Sequence, residues 1–213
     1  MNQLGVLMLD TRFPRVVGDI GNPLTFDFPV LYRTVRGASP QRVVRERDPA
    51  LLAPFIDAGR ALVEQGATAI TTSCGFLVLF QRELKAALPV PVWTSSLLLL
   101  AGLSDAGVVT VDAAALVAEH LRAADAAPDT PIEGLAAGCA FQRTLLNDEA
   151  TLDTDDARAQ TVAAAMRLIT CHPRLSTIVL ECTNMPPYAD AVRAATGRVV
   201  LDITTLLRQR FQT

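Results

Sequence analysis

The sequence predicts an α/β protein with two pseudo-symmetric lobes, each a mainly parallel sheet flanked by helices, with the active-site cleft between them. Three observations lead to this prediction. The chain of 213 residues is 50% hydrophobic, enough for a sizeable core. Short apolar runs alternate with segments of helical periodicity, which is typical of parallel sheets with right-handed crossovers. The order of these elements also repeats once along the chain.

The composition excludes several classes of function. Charged residues make up 19% of the chain and leave a net charge of −3, so a broad nucleic-acid-binding surface is not expected. The longest apolar stretch, Leu97–Leu103, is far shorter than the ~20 residues that span a bilayer. We therefore expect a cytoplasmic protein without a membrane or nucleic-acid partner. A cytoplasmic location predicts that the cysteines are mostly free thiols. Because their spacings are irregular and no Cys-x-x-Cys motif occurs, no metal site is expected.

The first half of the chain begins with the apolar run Leu4–Leu9, which predicts a buried strand. Residues 10–48 form a long irregular segment around a second strand, and irregular segments of that length are more often functional than idle. Asp48 is suited to cap the helix that follows it, and Gly66 to end that helix. The remaining elements predicted in this half are the strands Val30–Val35, Ala67–Thr72 and Val90–Trp93 and the helices Phe76–Leu88 and Ser95–Leu103.

The second half follows the same scheme. Acidic residues at the start of the long segment Thr154–Cys171 favour a helix there, because they complement the helix dipole. The other predicted helices are Ala113–Ala124, Tyr188–Ala195 and Thr205–Phe211, and the predicted strands are Gly107–Val111, Pro131–Ala137, Leu175–Leu180 and Val199–Leu201.

Segments of the two halves resemble each other. Gly5–Asp10 is similar to Gly107–Asp112, and Ala67–Cys74 is similar to Leu175–Cys182, each pair about 100 residues apart. Chance similarity between strand-helix units is the alternative explanation. The repeat predicts a first lobe of residues 1–97 with 203–213 and a second lobe of residues 98–202.

Cys74 and Cys182 occupy equivalent places in this repeat. Each follows the carboxyl end of a strand, where open α/β sheets build ligand sites. Each precedes a helix, so backbone N–H groups and the helix dipole are expected to lower the pKa of the thiol. Two thiols on opposite sides of a carbon can invert its configuration, one removing a proton and the other delivering one. Buried cysteines are also commonly inert core residues, which is the alternative for both.

The motifs around these cysteines resemble those of the aspartate/glutamate/hydantoin racemase superfamily. The similar segments are Thr71–Phe76, Leu180–Pro186 and the first strand end Leu9–Thr11, in that family's order. The resemblance implies cofactor-independent racemisation without pyridoxal phosphate, a small substrate that carries a carboxylate or is a hydantoin, and often a homodimer. It also implies that Cys74 and Cys182 are the catalytic bases.

The resemblance also implies which residues bind the substrate. By position these are Thr11, Ser73, Gly75, Phe76, Thr183 and Asn184. Asp10, at the first strand end, and Asn22, in the long loop, are further candidates from their own positions. Glutamate racemases carry polar residues where Phe76 stands and a histidine where Asn184 stands, so the chain favours a hydantoin or another amino acid derivative over glutamate.

Two alternatives remain open from the sequence. One is an isomerase of the maleate isomerase type, which uses one cysteine as a nucleophile. The other is a non-catalytic protein that binds a small metabolite in its cleft. Cys139, which follows Gly138 at a possible strand end, is a further candidate to line the cleft, and Arg12 and Arg15 are candidate anion contacts.

Overall fold

Two four-stranded parallel sheets organise the protein, in a computed structural model that describes residues 2–211. The ends of the predicted first lobe, residue 1 and residues 212–213, lie outside the described residues. The strand orders are β2-β1-β3-β4 and β6-β5-β7-β8, so both sheets have the same topology. The strands are β1 (Leu4–Leu9), β2 (Val30–Val35), β3 (Ala69–Thr72), β4 (Val92–Trp93), β5 (Ala106–Thr110), β6 (Ile132–Gly134), β7 (Thr177–Leu180) and β8 (Val199–Leu201).

Seven α-helices cover the two sheets within the described part of the chain. They are α1 (Leu52–Glu64), α2 (Gln81–Ala87), α3 (Ala118–Ala123), α4 (Ala140–Leu146), α5 (Thr154–Cys171), α6 (Ala189–Thr196) and α7 (Ile203–Phe211). Helix α7 follows the second sheet in the chain but packs on the first, where Ile203, Leu206 and Leu207 join the cluster of Leu4 and Val6. The final helix therefore contributes to the core of the first lobe.

The central strands of each sheet are buried on both faces. Every residue of β1, β3, β5 and β7 is buried, as expected for parallel strands covered by helices on either side. In both sheets the chain order reverses beside the central strand, β1 or β5, and loops at the carboxyl ends of strands open a crevice there. The two cysteine segments follow β3 and β7 at these crevices.

Several predicted helices differ from those observed. The segment predicted as the helix Phe76–Leu88 is a 3-10 helix over Gly75–Phe80 followed by α2, and Ser96–Leu100 is also a 3-10 helix. Both follow a residue with extended backbone, Cys74 or Ser95, and the Ser95 hydroxyl accepts a hydrogen bond from the Leu97 N–H at 3.1 Å. The Ser95 cap therefore supports the tight first turn of the second 3-10 helix.

Helices in the second lobe differ as well. Helix α3 is shorter than predicted, because the Asp112 carboxylate accepts from the Ala114 N–H and holds a turn before it. Helix α4 was not predicted. It begins after Cys139, whose sulfur accepts a hydrogen bond from the Gln142 N–H at 3.4 Å.

The two lobes meet at the cysteine segments through hydrogen bonds. The Thr183 hydroxyl donates to the Ser73 carbonyl oxygen at 2.6 Å. The Ser96 hydroxyl donates to the Leu180 carbonyl oxygen at 2.8 Å. Because all four residues lie in or beside the chain segments that follow β3, β4 and β7, these contacts fix the relative position of the two cysteine segments.

Candidate active site

A single cavity between the lobes is lined by both Cys74 and Cys182. The space between its lining atoms, with the open mouth included, is about 370 Å³. Five other residues predicted to bind substrate also line it, namely Ser73, Gly75, Phe76, Thr183 and Asn184. The rest of the wall is apolar apart from Glu181, and consists of Leu9, Phe13, Pro40, Val44, Val111, Leu145 and Leu146. The cavity thus combines a mostly apolar wall with two thiols and one carboxyl group.

Asp10, Thr11 and Asn22 lie outside this cavity. The Asp10 carboxylate accepts a hydrogen bond from the Gly37 N–H, and the Thr11 hydroxyl oxygen accepts from the Arg15 guanidinium. The Asn22 amide donates to the Arg15 carbonyl oxygen and its side-chain oxygen accepts from the Leu24 N–H. These polar groups shape the long loop, so their predicted contact with substrate stays a prediction that the geometry does not support.

The hydroxyl groups of Ser73 and Thr183 have structural partners. The Ser73 hydroxyl oxygen accepts from the Leu9 N–H at 2.9 Å, and Thr183 donates to the Ser73 carbonyl oxygen. Their side chains therefore hold the strand ends together.

A buried polar network supports Cys182. The Cys182 thiol donates to the Asn184 side-chain oxygen at 3.4 Å, and the Asn184 amide donates to the Asp19 carboxylate at 2.5 Å. Asp19 also forms a salt bridge with Arg15 at 2.9 Å, with side chains only 4% and 11% exposed. Only the length of its loop pointed to Asp19, whereas Arg15 was a candidate for anion contact.

Glu181 was missed by sequence reasoning although it directly precedes Cys182. Its side chain is fully buried, and its Oε2 atom accepts a hydrogen bond from the Thr110 hydroxyl at 2.7 Å. Burial raises the pKa of the Glu181 carboxyl group to about 7. Its place at the end of a buried strand was the one available signal, because a charged residue there must face the interior or the cleft.

The expected lowering of the thiol pKa is not what the structure shows. Burial, and then the negative charge of Glu181, raise the pKa of the Cys74 thiol to about 12. The same two causes raise the pKa of Cys182 well above its ordinary value. Backbone N–H groups do oppose this, from Phe76 and Leu77 at Cys74 and from Asn184 at Cys182, but burial outweighs them.

Replacing Glu181 should therefore make both thiols more acidic. In Glu181→Gln the amide keeps the shape and can still accept from Thr110, while the negative charge that repels a thiolate is gone. We expect the pH profile of iodoacetamide alkylation at Cys74 and Cys182 to move to lower pH. Glu133→Gln, a partly exposed Glu far from the thiols in a salt bridge with Arg167, is the matched control. An unchanged profile in Glu181→Gln would contradict this electrostatic assignment.

The other two cysteines lie away from the cavity. Cys139 caps α4 and does not line the cavity with Cys74 and Cys182, so its predicted contact with the cleft stays a prediction. Cys171 is exposed at the end of α5.

Within residues 2–211 no group of three or more His, Cys, Asp or Glu side chains is arranged to hold a metal ion. No helix in that range is long and apolar enough to cross a membrane. The cytoplasmic location and the homodimer stay predictions.

Solved structures with the same architecture define the class of fold. Unliganded arylmalonate decarboxylase matches with a TM-score of 0.61 and 18% identity, covering 94% of this chain and 87% of that chain. An aspartate racemase homologue from Pyrococcus horikoshii OT3 matches with a TM-score of 0.59 and 11% identity, covering 100% and 98%. Glutamate racemase from Thermus thermophilus, in complex with β-chloro-D-alanine, gives 0.57 and 20%, covering 98% and 78%. The resemblance to the aspartate/glutamate racemase superfamily is thereby confirmed at the level of the fold.

Sequence relatives resolve the family further. A dimethylsulfoniopropionate lyase of Durusdinium sp. clade D is 32% identical over 215 residues, covering 93% of this chain and 70% of the relative. Dimethylsulfoniopropionate lyase 6 of Emiliania huxleyi (strain CCMP1516) is 30% identical over 220 residues, covering 95% of this chain and 57% of the relative. No protein-family profile matches the chain. The chain belongs to the family of the dimethylsulfoniopropionate lyases.

Proposed function

We propose that the protein is a lyase that splits dimethylsulfoniopropionate, or a close β-sulfonium carboxylate, by elimination. The observation that carries this proposal is a cavity lined by a candidate thiol base in a chain that belongs to this lyase family. The predicted racemase shares the first half of such a reaction, since both remove a proton from the carbon beside a carboxylate. The two reactions differ in what the resulting carbanion does next.

A thiolate removes a proton from the carbon next to the substrate carboxylate and becomes a thiol. The electron pair of the broken C–H bond forms a carbon–carbon double bond, and the bond from the β-carbon to sulfur breaks. Sulfur keeps the bonding electrons and leaves as neutral dimethyl sulfide, so the other product is acrylate. The thiol then returns its proton to solvent, directly or through a neighbouring group.

Cys74 is the better candidate for the base. Two backbone N–H groups, of Phe76 and Leu77, stabilise its thiolate, whereas Cys182 receives one, from Asn184. The Cys182 thiol also donates to the Asn184 side-chain oxygen, which keeps its proton in place. We therefore assign proton removal to Cys74, and to Cys182 the role of a protonated thiol beside the substrate.

The substrate carboxylate is expected to bind the Ser73 hydroxyl and those backbone N–H groups in the turns after the two cysteines that do not already serve a thiol or the turn itself. The Thr183 hydroxyl donates its proton to the Ser73 carbonyl oxygen, so it is less suited to this role than the resemblance implied. The Ser73 hydroxyl only accepts, from the Leu9 N–H, and no acceptor for its own proton is seen among residues 2–211, so it can donate to a carboxylate. Preorganised N–H donors also stabilise the enolate that forms as the proton leaves, at ~3–4 kcal/mol per donor in well-studied sites. Such stabilisation is required because a carbon beside a carboxylate is a far weaker acid than a thiol.

The proposal is tested by incubating the protein with dimethylsulfoniopropionate in heavy water and following products by proton NMR and headspace gas chromatography. We expect stoichiometric dimethyl sulfide and acrylate. An active preparation that exchanges or inverts amino acids or hydantoins in parallel assays, yet releases no dimethyl sulfide, would contradict the lyase proposal.

A two-base racemase or epimerase of an amino acid derivative is the second candidate. The observation that favours it is the presence of both thiols in the same cavity, since an elimination requires only one base. The same heavy-water experiment separates the two, because racemisation incorporates deuterium at the stereocentre and leaves the carbon skeleton intact. A covalent adduct on one cysteine would indicate the nucleophilic isomerase mechanism instead, and tight binding without any exchange would indicate a binding protein.

A further inference from the structure

The Glu181 carboxyl group is incompletely satisfied. Its Oε2 atom accepts from Thr110, whereas Oε1 is buried without a hydrogen-bond partner among residues 2–211. Leaving a buried polar atom unpaired costs about 1–3 kcal/mol, and more when the group is charged. When a buried polar atom beside a ligand cavity has no partner in the protein, a ligand in that cavity explains the atom better than packing does.

The position of this carboxyl group depends on Gly75. A Cβ atom at residue 75 would lie 2.2 Å from the Glu181 Oε1 atom and 2.5 Å from its carbonyl oxygen, so a larger residue does not fit there. Both Gly75 and Glu181 line the cavity. The missing side chain at residue 75 therefore lets the carboxyl group lie directly at the cavity wall.

The charge of Glu181 acts on the contents of the cavity. Its negative charge contributes to the raised pKa of both Cys74 and Cys182, so its field reaches both thiols. No cationic side chain is hydrogen-bonded or salt-bridged to it within the described chain, and the nearby Arg15 is paired with Asp19. An ionised Glu181 thus leaves the cavity wall with an unbalanced negative charge, which disfavours anions and favours a cation.

We propose that Glu181 selects substrates that carry a positive charge β to the carboxylate, because its carboxylate faces the sulfonium group across the cavity wall. This inference rests on the proposed lyase function and names the feature of the substrate that the site recognises. Coulombic attraction in a low-dielectric site extends over several ångströms, so the cation need not touch Oε1. The apolar wall formed by residues such as Phe13, Val44 and Leu145 suits the methyl groups of the sulfonium.

The pairing of the Glu181 carboxylate with the sulfonium also lets the bound substrate favour ionisation of the Cys74 thiol. While Glu181 is ionised and unpaired, forming a second negative charge on Cys74 is costly. A bound sulfonium offsets the charge of Glu181 and makes the thiolate less costly when the substrate is in place. After elimination the sulfur leaves as a neutral molecule, so acrylate and Glu181 repel each other and product release is favoured.

The test compares two unreactive ligands of nearly the same shape by isothermal titration calorimetry. One is β-alanine betaine, whose trimethylammonium group replaces dimethylsulfonium, and the other is the carboxylate with a neutral tert-butyl group at that place. We expect the wild type to bind the cationic ligand at least about tenfold more tightly, and Glu181→Gln to lose this preference. Glu133→Gln is expected to keep it.

Equal affinities in the wild type, a preference retained in Glu181→Gln, or no binding of the cationic ligand would each overturn the inference. If Glu181→Gln does not fold, the wild type is titrated about one unit below and one unit above the Glu181 pKa of about 7, and the preference should appear only at the higher pH. The titratable groups that line the cavity with Glu181 are the two thiols. Beyond the lining, the charge of Arg15 acts on Cys74 and that of Asp19 on Cys182, and these two residues are paired in a salt bridge. His120 packs behind Phe76 with its pKa lowered to about 4 by burial, outside this window.

Failure of the proposed function gives a different result. A protein that binds the cationic ligand preferentially but releases no dimethyl sulfide from dimethylsulfoniopropionate would contradict the lyase proposal and leave the role of Glu181 supported. A protein that releases dimethyl sulfide but binds both ligands equally would support the lyase proposal and contradict the role of Glu181.

Discussion

Cys74→Ala should lose dimethyl sulfide release by a factor of about 10²–10⁴, the usual contribution of a positioned general base. The alanine methyl group cannot accept the proton. Glu181, the carboxyl group in the cavity wall, does not replace the thiol as base because it is buried against Gly75. Cys182→Ala should also be impaired, but less, because the assigned base is retained. Headspace gas chromatography at saturating substrate measures both variants.

The matched control for this pair is Cys171→Ala, which removes an exposed thiol at the end of α5. It should release dimethyl sulfide at the wild-type rate. Circular dichroism establishes that the three variants are folded. A wild-type rate in Cys74→Ala would show that Cys74 is not the base. A larger loss in Cys182→Ala than in Cys74→Ala would show that the two assigned roles must be exchanged.

Asp19→Ala should destabilise the protein by about 3–5 kcal/mol, as when one partner of a buried ion pair is removed. Asp19 accepts hydrogen bonds from the Arg15 guanidinium, the Gly21 N–H and the Asn184 amide. Its loss leaves the nearly buried Arg15 without a counter-charge and frees Asn184, which positions the Cys182 thiol. We therefore expect lower activity at temperatures where the variant is still folded.

Urea unfolding, monitored by circular dichroism, measures the change in the free energy of unfolding. The control is Asp57→Ala, which removes the partner of Arg60 in an exposed ion pair on α1 and should cost less than about 0.5 kcal/mol. If Asp19→Ala were as mild as Asp57→Ala, the network behind Cys182 would not contribute to stability as described.

Much of the architecture was predictable because it depends on hydrophobic patterns and a repeat that are visible in the sequence. Continuous apolar runs such as Leu4–Leu9 can only be satisfied in strands covered on both faces, and the structure shows them so. The similarity of Gly5–Asp10 to Gly107–Asp112 corresponds to β1 and β5, the central strands of two sheets with the same order. From the repeat, Cys74 and Cys182 were predicted to lie in one cleft, and in the structure both line the same cavity.

The polar groups around the thiols were harder to predict. A charge such as Asp19, in a loop, looks the same in sequence whether it is solvated or buried in a salt bridge, because its partner Arg15 is identified only by folding. Glu181 follows a buried strand, but its distance from the Cys74 thiol depends on the inter-lobe contacts. The expected thiol acidity was wrong for the same reason, since burial and Glu181 outweigh the backbone N–H groups.

Protection of the thiols by substrate tests most directly whether both face a single bound molecule. Iodoacetamide alkylation of Cys74, Cys182 and Cys171 is followed by mass spectrometry of the digested protein, with and without saturating dimethylsulfoniopropionate, in samples quenched before the substrate is consumed. We predict that Cys74 and Cys182 are protected together, at the same half-saturating concentration, while the exposed Cys171 reacts equally in both samples. Protection of only one of the two cavity thiols, or of neither, would contradict the account.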